Sequence, residues 1–418
     1  SPYCLYDTLH YQFHERGKEE PPGPNRLYKA SSMDLVIEKA QLKDVEELLG
    51  LYISIYGDDY PLSLGTQKKV MVEAISDNDR YLWLVMRDTL SGVLAGSTII
   101  EMDLEYCIGK VTGVTVSPTY RGQKIAQNLI SFGVEQVLRK EKKVHSLYAT
   151  ARTEGLSSQQ MFLKNGFIPL GIFPNCRKIK SYETLNLLGI FSDEGLARRA
   201  DVQKIPENLA AIYQTVNSEI GIDKQPGVIE ACPITDFVPS ETLDDVDDFE
   251  FIDAPQFIQR RFDNLFAEDK ESVFYPFHHP NLLIASQKLD LEIYASFNKK
   301  DHYCVLITAN KSIKCLRNNF KQLMFSMKEL GIYYVETLVR VDYFDAICFL
   351  SENRFIPSAI YPAMREEEGM MHDYVLLTRT MVPLDFSETT FSPRFLPYVN
   401  QYTKQWMKLN LSTVMGDS

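Results

Sequence analysis

One ten-residue stretch occurs twice in this chain, and that repeat limits the folds open to it. Asn165-Gly-Phe-Ile-Pro-Leu-Gly-Ile-Phe-Pro174 returns 188 residues later as Asn353-Arg-Phe-Ile-Pro-Ser-Ala-Ile-Tyr-Pro362, with six of ten positions identical and Phe173 aligned with Tyr361. The segments before each copy also match in order. Ahead of the first lie a strand-like run at 108–116, a helical stripe, a strand-like run at 145–151 and a short helical run at 157–166. Ahead of the second lie a strand-like run at 303–309, a helical stripe over 313–330 (Ile313, Leu316, Phe320, Leu323, Met324, Met327), a strand-like run at 332–339 and a helical run at 346–352. A shared ten-mer with the same order of elements around it implies two copies of one domain. At roughly 150 residues per domain, 418 residues have room for two or three.

Within the first copy, LVIEKA (35–40) reads as a strand, and Leu42, Val45, Leu48, Leu49 and Tyr52 follow at helical spacing. Strands are expected at 81–88 and 93–103, joined by a tight turn, and at 108–116, where Gly113 suggests a bulge. Ile125, Ala126, Leu129, Ile130, Gly133, Val134, Val137 and Leu138 make one buried helical stripe. Helices thus alternate with strands, and the fold class is α/β of the α+β type: two similar domains, each a mixed, mostly antiparallel sheet flanked by helices.

The expected organisation has five parts. Residues 1–32 form an aromatic N-terminal arm (Tyr3, Tyr6, Tyr11, Phe13) ending in Pro21, Pro22 and Pro24, and 33–197 form the first domain. A helical and acidic linker or insertion spans 198–269; between Asp236 and Asp253 it is crowded with carboxylates, a composition that repels itself and stays solvated. The second copy spans 270–385, and 386–418 form a helical tail whose Phe395, Leu396, Tyr398, Tyr402, Trp406 and Leu409 pack back on the body. MREEEGMM (364–371) reads as a charged lid or surface loop.

Composition removes several function classes. No apolar run approaches the roughly 18 residues that span a bilayer, and SPYCLYDTLH lacks a basic-then-apolar signal pattern. The net charge of −12 repels a phosphate backbone, so a nucleic-acid partner is not expected. Seven widely spaced cysteines without a CxxC pair fit reduced, mostly buried thiols and a cytoplasmic location. His278-His279, beside Pro276 and Pro280, reads as a turn, and no metal site is expected.

The segment that carries chemistry is 114–129, VTVSPTYRGQKIAQNL. A strand ends at Val116, a turn follows at Ser117-Pro118, and a helix is expected from Arg121-Gly122. That geometry aims free backbone N–H groups at one spot on the positive end of a helix dipole, which suits a phosphate or pyrophosphate. Gly122 permits close approach, and Arg121 and Lys124 add positive charge to an acidic chain.

Here the sequence resembles the GNAT superfamily of N-acetyltransferases. Val114, Val116, Pro118, Arg121, Gly122, Ile125, Ala126 and Leu129 match the family's acyl-CoA signature, and Gly166-Phe167 its later block. Lys124 stands where the signature has its second glycine, and ordinary helical dihedrals are expected there. The resemblance covers about 34–192 well and 270–382 weakly. It implies acetyl-CoA as co-substrate, held by Val114, Thr115, Val116, Arg121, Gly122, Gln123, Lys124, Ile125 and Ala126. It implies an extended pantetheine arm alongside Val114–Val116, and direct attack by an amine on the thioester without an acyl-enzyme. It also implies a cytoplasmic enzyme, of bacterial type, whose acceptor is a small molecule or a protein.

The sequence departs from the family at the acid. Phe162 and Gly155 stand where the family often has tyrosine and asparagine, so Tyr120 and Tyr148 are the candidates for protonating the thiolate. Glu101 is the first candidate base, with Asp103 on the same side of its strand and Glu154 as others. Asp58, Asp59 and Tyr60 are candidates for the acceptor pocket, since aromatics beside carboxylates suit an amine. The second copy has Ala309-Asn310 at the place of Arg121-Gly122 and keeps Lys311, Lys314 and Arg317, so it reads as a degenerate GNAT-like domain. The alternative function is a tandem module that binds acyl-CoA or a protein without turnover.

Overall fold

The computed structural model describes residues 28–30, 33–57, 62–178, 181–223, 225–229, 249–269 and 273–411. Nearly all of the expected arm and most of the acidic block lie outside them. The described residues form two compact units. The first holds those up to Ile168 together with Leu188–Gly195; the second holds Pro169–Leu187 and those from Leu196 onward.

The first unit comprises β1 (Tyr28–Ala30), β2 (Met33–Lys39), α1 (Val45–Tyr56), α2 (Ser63–Thr66), α3 (Lys68–Ser76), β3 (Tyr81–Asp88), β4 (Leu94–Asp103), β5 (Ile108–Val116), α4 (Ile125–Val134), β6 (Ser146–Arg152) and α5 (Ser157–Lys164). The sheet runs β1-β2-β3-β4-β5-β6, antiparallel through β5, with β6 parallel to β5. β4 and β5 are buried along almost their whole length because helices cover both faces. On one face α4 lies so close that a Cβ on Gly133 would sit 2.6 Å from Ile100 Cδ1. On the other, Tyr52 of α1 packs edge-on against Trp83, ring centres 6.0 Å apart.

The second unit takes up most of the hairpin β7 (Ile168–Lys178) and β8 (Tyr182–Phe191), then α6 (Asp193–Ala197), β9 (Lys204–Pro206), α7 (Glu207–Ile220), β10 (Gly227–Ile229), β11 (Glu250–Ile252) and α8 (Pro255–Leu265). It continues with β12 (Leu282–Ser286), β13 (Leu291–Asn298), β14 (Tyr303–Ala309), α9 (Phe320–Glu329), β15 (Tyr334–Arg340), α10 (Phe344–Glu352), β16 (Ile356–Glu367), β17 (Met370–Thr380) and α11 (Leu396–Leu411). Its sheet order is β7-β16-β17-β15-β14-β13-β12-β11, with β14 and β15 the parallel pair. Each unit is therefore a mixed, mostly antiparallel sheet flanked by helices. No helix among the described residues is long and apolar enough to cross a membrane.

The repeated ten-mer keeps its local geometry in both places. Gly166 (φ +84°) and Arg354 (φ +66°) occupy the same left-handed turn. The following N–H donates back into the helix in both copies, Phe167 to the Phe162 carbonyl at 3.1 Å and Phe355 to Leu350 at 3.0 Å.

Four expectations change. The helix expected from Arg121 begins at Ile125, because Pro118–Tyr120 form a 3-10 turn first. The 313–330 stripe is two pieces, a 3-10 turn at Ile313–Leu316 and α9, separated by Arg317–Asn319. MREEEGMM is a hairpin of β16 and β17, its turn at Glu368-Gly369 (φ +52° and +79°), which places Met371 in the core at 1% exposure. Cys107, Cys176, Cys304 and Cys315 are free thiols, but Cys348 is disulfide-bonded.

Candidate active site

The site is built on a bulge in β5. Ser97 pairs with Thr115 but Ile99 pairs with Thr112, so Gly113 and Val114 together oppose Thr98. Gly113 takes φ +57°, where a side chain would strain the backbone and meet Ile99 Cδ1 at 2.9 Å. Two tyrosines of α1 hold the bulged carbonyls. The Tyr52 hydroxyl donates to Gly113 O at 2.6 Å and Tyr56 to Val114 O at 2.5 Å. Burial raises the Tyr52 pKa well above the phenol range, so it stays a donor. Neither role was legible as such: one tyrosine reads as part of an apolar stripe, the other as the border of a loop. The only signal was tyrosine at i and i+4 where leucine would have filled the space.

Beyond the bulge β5 and β6 part. They pair at Ile108–Ser146, Gly109–Leu147 and Lys110–Tyr148, and no strand among the described residues pairs with that edge of 111–116. The gap leads to the loop 117–124. Thr115 Oγ1 and Gln123 Oε1 are buried there without a hydrogen-bond partner among the described residues. Among the described residues, no N–H from Gly122 to Lys124 donates to a backbone carbonyl. Gly122 has φ +83° and open space where a Cβ would stand. Val114, Thr115 and Val116 line the strand, and Ile125 and Ala126 are buried in the first turn of α4. Gly96 brings that turn onto the sheet: a Cβ on it would meet Ile125 Cγ2 at 2.7 Å and Thr115 O at 2.8 Å.

Lys124 is the N-cap of α4 and is left-handed (φ 56°, ψ 24°), not helical as expected. The position therefore demands what the family's glycine supplies. A non-glycine residue there costs about 1–2 kcal/mol. Lys124→Gly is accordingly expected to stabilise the unit by about 1 kcal/mol in urea denaturation, while removing one positive charge from the loop. A neutral or negative stability change would show that the Lys124 side chain repays its own strain.

Three sequence candidates separate into two groups. Tyr81, Glu101, Lys110 and Tyr148 are in register across β3, β4, β5 and β6, and so form one row on one face. Glu101 is fully buried; Arg80 reaches it at 2.9 Å and Lys110 at 3.4 Å, with the Tyr81 hydroxyl at 3.5 Å. Lys110 is itself buried and was not singled out from sequence. Tyr148 is 1% exposed, edge-on to Phe191. Lys110–Tyr148 is the last pair before the gap, so the row lies at its closed end. Tyr120 is elsewhere: its hydroxyl donates to Asp88 at 3.0 Å and lies 3.2 Å from Ser91 Oγ in the β3–β4 turn. Asp103 is raised by burial, an effect partly offset by the Tyr106 N–H, and Glu154 is an exposed partner of Arg152 at 2.9 Å. Asp58, Asp59 and Tyr60 lie outside the described residues.

Phe162 is fully buried, its ring 5.1 Å from that of Phe167. It offers no surface to an incoming thioester. Phe162→Tyr is expected to lower stability by about 1–3 kcal/mol, since the new hydroxyl enters a packed apolar contact. Denaturant midpoints check this; an unchanged midpoint would mean the hydroxyl reaches a partner or the gap.

The second copy spends its loop cations locally. Lys311 pairs with Asp290 at 3.0 Å and Lys314 bonds Asp345. Neither is held ready for a phosphate.

Residues 45–167 match the model of the Acetyltransferase (GNAT) family. Among solved structures, the acetyltransferase of GNAT family from Streptococcus pneumoniae is 19% identical over 38% of this chain and 99% of that one, TM-score 0.33. The spermidine N-acetyltransferase from Vibrio cholerae in complex with CoA and spermine is 17% identical over 38% of this chain and 95% of that one, TM-score 0.33. No curated protein matches the chain in sequence. The stretch that matches the GNAT acetyltransferase family model contains the bulged strand, the parted β5–β6 pair and the 117–124 loop.

Proposed function

We propose that the first unit is an acyl-CoA-dependent N-acetyltransferase acting on an amine. The observation that carries this reading is the edge of β5 beyond Lys110, with which no strand pairs among the described residues, leading to a loop whose 122–124 N–H groups donate to no backbone carbonyl there. A pantetheine arm carries amide donors and acceptors that match such an edge, and a pyrophosphate matches the loop. Bound acetyl-CoA supplies the activated acyl group. Val114–Val116 orient it, Arg121 and Lys124 neutralise phosphate charge, and Gly122 lets the backbone come close. The row at the closed end supplies the polar groups nearest the reacting end. Glu101 already contacts two cations, so it can accept the amine's proton only by loosening one of them; its first role is to hold Lys110 and the row in place. Tyr148 is the better placed of the two candidate acids, because Tyr120 is tied to Asp88.

The acceptor we infer is an amine-bearing molecule, as in the spermine complex of the Vibrio cholerae enzyme. A non-catalytic acyl-CoA-binding module is the second reading, favoured by Phe162, which puts no hydroxyl where the family often has one. Free-thiol release from acetyl-CoA over a panel of small amines and lysine peptides, beside a thermal-shift titration with acetyl-CoA, separates them. Amine-dependent thiol release supports the enzyme. Stabilisation without release on any amine supports the binding module, and neither effect refutes both.

A further inference from the structure

The second unit contains a cavity of about 440 Å³ whose lining includes four cations and no carboxylate. Lys321 and Lys328 come from α9, Arg354 from the turn before β16, and Arg379 from the end of β17. Among the described residues none of the four has an ion-pair partner; Arg379 donates to the Asn353 carbonyl at 3.1 Å. Burial, together with the neighbouring Arg354 charge, pushes the Arg379 pKa down to about 10, the response of a cation without compensation. Met324, Phe325 and Trp406 add apolar surface, and Phe325 is 59% exposed. The hydroxyls of Thr380 and Tyr402, also in the lining, are buried next to one another.

A second observation is independent of charge. Arg354 stands at the repeat position that Gly166 fills in the first copy, and it keeps the same left-handed backbone. Glycine holds that turn without strain, whereas arginine does not. The strained residue is also one of the four cations that line the cavity, and strain retained at a turn marks a side chain in use.

We propose that this cavity binds a phosphomonoester with an apolar or aromatic body. Two guanidinium groups match the planar bidentate geometry of phosphate oxygens, and four positive charges suit a dianion better than a single carboxylate. The volume falls in the range of small-molecule pockets, and Trp406 and Phe325 face the body of the ligand. The site is separate from the acyl-CoA reading of the first unit and stands or falls without it.

The test uses the full chain and calorimetry with phenyl phosphate, inorganic phosphate and phenol as probes. Phenyl phosphate is expected to bind, inorganic phosphate to bind at least tenfold more weakly, and phenol not to bind; raising salt from 50 to 500 mM should weaken the phosphates several-fold. Arg354→Gly should raise the melting temperature of the free chain, because it relieves the turn, and yet weaken phenyl phosphate at least tenfold. Arg121→Glu in the first unit should leave this binding unchanged. No binding of phenyl phosphate, or the same affinity in Arg354→Gly, would overturn the proposal. Equal affinity for phenyl and inorganic phosphate would overturn the assignment of an apolar body.

Discussion

Glu101→Ala is expected to destabilise the first unit by about 3–5 kcal/mol, the loss typical when one partner of a buried ion pair is removed. The reason is Lys110. Arg80 is 43% exposed at its side chain and turns to water when its partner goes, but the Lys110 side chain is only 4% exposed and has Glu101 as its ion-pair partner. An ammonium left in that row without its carboxylate loses more in hydration than its remaining contacts return. Equilibrium urea denaturation measures the loss. Replacing Glu101 and Lys110 together by methionine should return most of it, because the cost lies in the stranded charge and not in lost packing. A single substitution costing under about 1 kcal/mol would mean that Lys110 reaches solvent or another partner. Glu101→Gln then separates structure from chemistry: a base predicts a large fall in kcat at constant KM for acetyl-CoA, whereas a positioning role predicts a small one.

Arg121→Glu is expected to weaken acetyl-CoA binding at least roughly tenfold. Charge-assisted contacts to a phosphate are worth about 1.5–3 kcal/mol each, and the reversal replaces attraction with repulsion at the same loop. Arg121 is exposed, so screening trims the effect and salt should reduce the difference between variant and parent. Calorimetry checks it. Equal affinities at low salt would place the pyrophosphate away from this loop.

The sheet strands were largely legible because β3, β4, β5 and β14 are short runs rich in apolar and β-branched residues bounded by turn residues, and the bulge was legible from one glycine, Gly113. The repeat was legible in ten residues. Three things were not. The left-handed Lys124 was hidden because nothing local distinguishes a strained lysine from a helical one; only the glycine at the family's equivalent position hinted at it. The β16–β17 hairpin was hidden because MREEEGMM is charged, and its pairing depends on tertiary neighbours, not on propensity. The row of Tyr81, Glu101, Lys110 and Tyr148 was hidden because it is a product of register across four strands, which no single segment states. Glu101 was found as a carboxylate on a strand; its cations were not, since Arg80 and Lys110 lie 21 and 9 residues away and meet it only through pairing.

The most direct test is amide hydrogen exchange of the full chain with and without acetyl-CoA. If the thioester enters between β5 and β6, acetyl-CoA should slow exchange at 111–116 and 122–126, where N–H groups gain partners, and leave the second-copy loop at 311–317 unchanged. Binding with protection confined to 311–317, or with no change at 111–116, would contradict the account.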